Sequence, residues 1–220
     1  MTSIHAVLFD YGMVLSGPPD PAAWSRIRTI TNLSEDVLQR EYWAHRHAYD
    51  RGDLNGETYW QAAATGAGIV LTPNQLTDLI AADTDLWSQL NAPMLDWAQH
   101  LQRAGIRTGI LSNIGDAMSA GLLAKHDWLK AFDHHTWSYA LNLAKPEPAI
   151  YLHAAEGLHT PPSSILFIDD RAENIQAALA VGMQAIQYTD HAAFVHEMQA
   201  RNLDSLLQPE SHSDSQNGKL

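Results

Sequence analysis

The 220-residue chain has no cysteine and few basic residues, 13 Lys and Arg against 25 Asp and Glu, for a formal net charge of −12. The first absence excludes disulfides, without by itself fixing the redox compartment. The second excludes nucleic acid and anionic membranes as general partners, because most of the surface repels them; an anionic ligand must meet a locally positive site. The chain also lacks any apolar run near the ~18 residues of a membrane span, and any basic N-terminal stretch leading into an apolar one. A soluble, cytoplasmic protein is therefore expected. The length suits one well-packed domain with chain left over for an inserted subdomain.

Residues 4–9 are an apolar, β-branched run ending in Asp10, which reads as a buried strand. Helix starts then follow one another: Asp20 before Pro21, Ser34 before two acids, and Thr72 before Pro73 with Gln75 three residues on. No strand pattern occurs over 16–90, so this span, rich in Trp24, Tyr42, Trp43, Tyr49, Tyr59, Trp60 and Trp87, predicts an inserted helical unit with its own small core. Alternation resumes with a helix over 91–104, a strand over 106–111, helices over 117–126 and 146–157, a strand over 165–168, a helix over 171–181 and a strand over 183–187. That rhythm predicts an α/β fold, a Rossmann-like parallel sheet with helices on both faces, in which ligands bind beyond the C-terminal strand ends. The Ser, Asn, Gly and Asp rich stretch 209–220 has no apolar period and reads as a disordered tail.

Three strands finish on polar residues: Asp10, then Ser112 with Asn113, then Asp169 with Asp170. Lys145, beside Pro146 at a helix start, can reach the same edge. Three carboxylates in one pocket repel each other unless a cation lies among them. Oxygen-only ligation suits Mg²⁺, which keeps waters and shares a phosphate oxygen. Lys145 adds positive charge for phosphoryl oxygens, and the Ser112 hydroxyl and nearby amides can donate hydrogen bonds to them. A carboxylate attacking phosphorus would form an aspartyl-phosphate.

Phe9-Asp10-Tyr11-Gly12-Met13-Val14-Leu15, Leu111-Ser112-Asn113, Lys145-Pro146-Glu147-Pro148 and Phe167-Ile168-Asp169-Asp170-Arg171-Ala172-Glu173-Asn174 resemble the four ordered motifs of the haloacid dehalogenase superfamily. The likeness spans most of 4–188, and the helical insertion is similar to the C1 cap of subfamily IA. The resemblance implies a core over 1–15 and 91–208 and a cap over 16–90, with hinges near 16–18 and 90–93. It implies Asp10 as nucleophile and metal ligand. Ser112, Asn113 and Lys145 would hold phosphate; Asp170, helped by Asp169, and the Gly12 carbonyl would bind Mg²⁺; Asn174 would orient the Asp170 carboxylate or Lys145.

Gly12 departs from the pattern. Most phosphatases of the superfamily carry Asp there as general acid and base. A branch with Asp-x-Gly resembles this chain and includes sugar phosphatases acting on α-D-glucose 1-phosphate. The expected activity is thus hydrolysis of a small phosphorylated metabolite, possible sugar phosphates included, with His45, Arg46, His47, Tyr49 and Asp50 as cap candidates for the replacement acid or base. The competing readings are a 2-haloacid dehalogenase, disfavoured by the paired acids, a phosphomutase, which depends even more on the missing acid, and a phosphate-binding homologue without turnover. Histidine metal sites are disfavoured, since His134 and His135 would point to opposite faces of a strand, and His45 and His47 do not share a helix face.

Overall fold

Buried apolar strands alternate with helices along the computed structural model, which describes residues 3–207; the tail expected over 209–220 lies outside the described residues. β1 (Ala6–Phe9) leads through a wide single turn, Tyr11–Leu15, into five helices: α1 (Pro21–Thr31), α2 (Glu35–Ala44), α3 (Arg46–Arg51), α4 (Gly56–Gly66) and α5 (Pro73–Leu86). Then follow α6 (Ala92–Arg103), β2 (Arg107–Ser112), α7 (Asp116–Lys125), β3 (His134–Trp137), the short α8 (Ser138–Leu141) and α9 (Pro148–Gly157). β4 (Ile165–Asp169), α10 (Ala172–Ala180), β5 (Gln184–Gln187) and α11 (His191–Ala200) complete the described chain.

The strands form one parallel sheet in the order β3-β2-β1-β4-β5. Period-two alternation divides β1 between two cores: Val7 and Phe9 pack with Trp97, Ile110, Ile168 and Phe194 on one face, Ala6 and Leu8 with Tyr151, Phe167 and Ile175 on the other. Both faces are covered, which is why the strand reads as unbroken apolar sequence. Phe9 lies opposite Ile110 of β2 and Ile168 of β4, so the residues that follow all three strands emerge at one edge.

The helices between β1 and β2 start where capping chemistry requires. The Asp20 side chain accepts from the amides of Ala22 and Ala23, and Thr72 with Gln75, like Asn55 with Thr58, forms a reciprocal capping box. Their apolar faces enclose a third core around Ile27, Tyr42, Tyr59, Trp60 and Leu79. The two connecting segments run side by side: Ser16 bridges Leu90, the Gly17 amide donates to the Gln89 carbonyl at 2.7 Å, and that of Asn91 to the Leu15 carbonyl at 3.0 Å.

α8 and α11 have no counterpart in the sequence reading, and two further elements differ from it. β3 was not expected: two half-buried histidines and a single fully buried residue, Thr136, give this edge strand no apolar run. The helix expected from Pro146 starts at Pro148 instead. Lys145 and Glu147 each precede a proline, which disfavours helical backbone, and the Glu147 amide closes a turn onto the Ala144 carbonyl at 2.8 Å. No described helix is long and apolar enough to cross a membrane.

α3 and the loop after β2 touch through a glycine. A Cβ on Gly115 would stand 2.0 Å from Cζ of Tyr49, while its φ of −83° suits any residue, so close approach alone requires glycine there. Gly115→Ala is expected to cost about 1–3 kcal/mol through overpacking, read as a lower urea midpoint with an unchanged m-value.

Candidate active site

Asp10 leaves the central strand and caps the turn behind it: the Tyr11 amide donates to its Oδ1 at 2.7 Å, and Lys145 Nζ lies 2.8 Å from the same oxygen. Lys145 Nζ also lies 2.7 Å from Asp169 Oδ2. The lysine is fully enclosed, and its position is fixed from the backbone. Its amide donates to Asn113 Oδ1 at 2.8 Å, and Asn113 Nδ2 donates back to its carbonyl at 3.0 Å. Asn113 therefore ties the loop after β2 to the Lys145 loop with both ends of its side chain.

Asp169 is buried and closely bound. Asn174 Nδ2 donates to both its carboxylate oxygens, at 2.9 and 3.1 Å, and the Arg171 amide donates to Oδ1 at 2.8 Å. Asn174, on the first turn of α10, thus orients Asp169 rather than Asp170. The Asp170 side chain is half-buried and lines a cavity of about 420 Å³ together with Asp10, Ser112 and Lys145. Oxygens of Asp10, Asp169 and Asp170 lie within 4.8 Å of one another, and no other group of three or more acids or histidines is so arranged among the described residues.

Burial pushes the Asp10 carboxyl up to about 8; Lys145 pulls it down, and the negative charges of Asp169 and Asp170 push it further up. Burial works against the Lys145 charge, but Asp10 and Asp169 together hold its proton above the ordinary lysine value. Asp170 is also raised, by burial and then by Asp169. Such a constellation is short of positive charge, which is the condition that favours a hard divalent cation with oxygen ligands. Gly12 lies two residues past Asp10 at φ −64° and ψ 131°, and a Cβ there would meet nothing within 4 Å. Neither backbone conformation nor space demands glycine.

The other wall of the cavity comes from the inserted helices and their neighbours. Trp43, exposed over 53% of its surface, lines it with Met13, Trp87 and Met118, and Arg46, His47 and Asp50 supply polar groups. Of the five cap residues singled out in the sequence, His45 and Tyr49 are not among its lining. Arg46 was foreseen, but its partners were not: its Nη1 lies 3.2 Å from Asp83 Oδ2 and donates to the Tyr42 hydroxyl at 2.7 Å, with Asp83 itself buried. The signal was an acid at helical spacing within the apolar face of α5, between Leu79 and Leu86.

The sequence profile of the haloacid dehalogenase-like hydrolases matches residues 12–182. The chain belongs to that family. Among relatives, this haloacid dehalogenase-like hydrolase is 26% identical over 205 residues to the sesquiterpene phosphatase astK of Aspergillus oryzae, covering 90% of this chain and 96% of that protein. It is 27% identical over 211 residues to the phosphatase MT3486 of Mycobacterium tuberculosis, covering 93% and 95%. The fold is similar to that of the HAD family enzyme bt-2542 of Bacteroides thetaiotaomicron, with a TM-score of 0.74, 19% identity, and coverage of 90% and 99%. That enzyme has also been crystallised with magnesium and inorganic phosphate.

Proposed function

We propose that this hydrolase is a Mg²⁺-dependent phosphatase that cleaves a small phosphate monoester through an aspartyl-phosphate on Asp10. The observation that carries this reading is the approach of the Asp10, Asp169 and Asp170 carboxylates within 4.8 Å beside a buried lysine. The donor set, all oxygen and excess negative charge, fits Mg²⁺; Asp10, Asp170 and the Gly12 carbonyl would hold it, with Asp169 as a supporting acid. When bound, the ion neutralises the repulsion between Asp10 and the substrate dianion.

The chain's own residues do the rest. Both hydrogen-bonded contacts of Asp10 fall on Oδ1, which fixes the carboxylate and leaves Oδ2 to attack phosphorus. Lys145 and Ser112 bind the phosphoryl oxygens, and Asn113 positions Lys145 by its backbone. Asp169, itself oriented by Asn174, pairs with the Lys145 ammonium. We read α1–α5 as a C1-type cap of subfamily IA, and the paired segments at Ser16 and Leu90 as its hinge. The family's phosphatase relatives support the reaction class. The narrower reading, a sugar phosphate such as α-D-glucose 1-phosphate, is supported by three polar side chains, Arg46, His47 and Asp50, that line the cavity together with Trp43.

The test is phosphate release from p-nitrophenyl phosphate, a hexose phosphate panel and phosphates of apolar alcohols. Release is expected with Mg²⁺, is lost with EDTA, and returns when Mg²⁺ is added in excess. Chloride release from 2-chloropropionate without metal would move the assignment to dehalogenation. Phosphate binding with no turnover on any ester would leave a binding homologue.

A further inference from the structure

A phosphatase that lacks an acid two residues after its nucleophile still has to protonate an alkoxide and deprotonate water. We propose that Asp50, on the cap helix α3, performs both transfers, an inference that rests on the phosphatase reading above.

Its placement is set by three links between α3 and the catalytic loops. The Asp50 carbonyl accepts a hydrogen bond from the Ser138 hydroxyl, which itself accepts from the Ile114 amide at 2.8 Å, two residues past Ser112. The Tyr49 hydroxyl accepts from the Met118 amide at 3.1 Å, and its ring rests on Gly115. Arg51 pairs with Glu147, two residues past Lys145. The helix is thereby held against the loop after β2 and against the Lys145 loop, the two that would hold phosphate.

The Asp50 side chain reaches the same cavity as Asp10 and Lys145, and is exposed over only 15% of its surface. Arg46 Nε lies 3.0 Å from its Oδ1, which fixes the carboxyl and leaves Oδ2 for a proton. Arg46 is itself immobilised by Asp83 and Tyr42, so the acid is held by a second layer of packed, hydrogen-bonded groups. Burial, and then Asp83, push the Asp50 carboxyl up to about 7, against Arg46 and Lys145, which pull it down. A carboxyl of that kind can serve as an acid in one half-reaction and as a base in the next. The other two polar lining groups of the cap suit the task less well: Arg46 does not release its proton in this range, and His47 is exposed.

The steps balance. Asp10 Oδ2 attacks phosphorus, the bond from phosphorus to the ester oxygen breaks, and the proton on Asp50 goes to that oxygen, releasing the alcohol. The Asp50 carboxylate then takes a proton from water as its oxygen attacks phosphorus. The electron pair of the acyl phosphate bond returns to Asp10, phosphate leaves, and Asp50 is protonated again.

The experiment compares Asp50→Asn and His47→Gln with the wild type on two esters, p-nitrophenyl phosphate, whose leaving group needs no proton, and an alkyl phosphate, whose leaving group does. Asp50→Asn is expected to lose about 10²–10³ in kcat on the alkyl ester. On p-nitrophenyl phosphate it should give a burst of about one p-nitrophenol per active site, as the phosphoryl-enzyme accumulates. His47→Gln, which removes a lining group of the cavity, should give no burst. Equal loss on both esters without a burst, or a burst in His47→Gln instead, overturns the proposal. Should the amide variant not fold, Asp50→Glu decides: a kcat–pH profile identical to wild type overturns it, a displaced one supports it. Absence of phosphate release by the wild type from either ester would bring down the phosphatase reading itself.

Discussion

Asp10→Asn is expected to abolish turnover, lowering kcat by about 10⁴ or more, while the protein stays folded. The amide has the same shape and can still accept from the Tyr11 amide, so the turn after β1 keeps its cap. What it lacks is an oxygen able to attack phosphorus and a share of the charge that would hold the cation. Loss of fold is not the expected cause. The Asp10 carboxyl is raised because burial and two neighbouring acids oppose its ionisation, so replacing it by a neutral group relieves repulsion in the metal-free protein. Lys145 retains Asp169 as a partner. The paired measurement is kcat with saturating Mg²⁺ and the thermal midpoint in EDTA at pH 8. Activity should vanish and the midpoint should hold or rise; a variant with substantial turnover would remove Asp10 from the chemistry.

The second large effect is a gain. Gly12→Asp places a carboxyl two residues beyond the nucleophile, on backbone that any residue can adopt and in space that is open. The superfamily pattern puts its general acid at this position, so the substitution should supply by side chain what the cap helix supplies in this chain. In the Asp50→Asn background it is expected to restore alkyl phosphate turnover by about 10²-fold or more, and to do less in the wild type, where the proton already has a donor. No gain in the double variant, with the fold intact by circular dichroism, would show that an acid at position 12 does not reach the leaving group.

The sheet and the edge where the candidate residues gather were legible because each depends on local, repeating signals. Continuous apolar runs that stop at Asp10, Ser112 and Asp169 mark strands covered on both faces, and a parallel register brings their ends together. Helix starts with strong caps, at Asp20 and Thr72, were read to the residue. β3 was not, because an edge strand carries little burial and His134–Trp137 has no pattern to betray it. The roles of Asn113 and Asn174 were partly legible: both were placed at the site, but that one clasps the Lys145 backbone and the other orients Asp169 follows only from side-chain geometry. The least legible feature was the link between the inserted helices and the loops at the sheet's edge. Asp83 meets Arg46 across 37 residues of chain and Ser138 meets Asp50 across 88, and no motif announces either, since long-range polar pairing has no sequence period.

The account stands on a phosphoryl group passing through one carboxylate with the help of a divalent ion. Rapid acid quench of the enzyme mixed with radiolabelled phosphate ester, followed by peptide mapping, reads that passage directly. Label is predicted on the peptide bearing Asp10, formed only when Mg²⁺ is present and missing from Asp10→Asn. Steady phosphate release with label on another residue, or with Asp10 labelled equally well in EDTA, would contradict it.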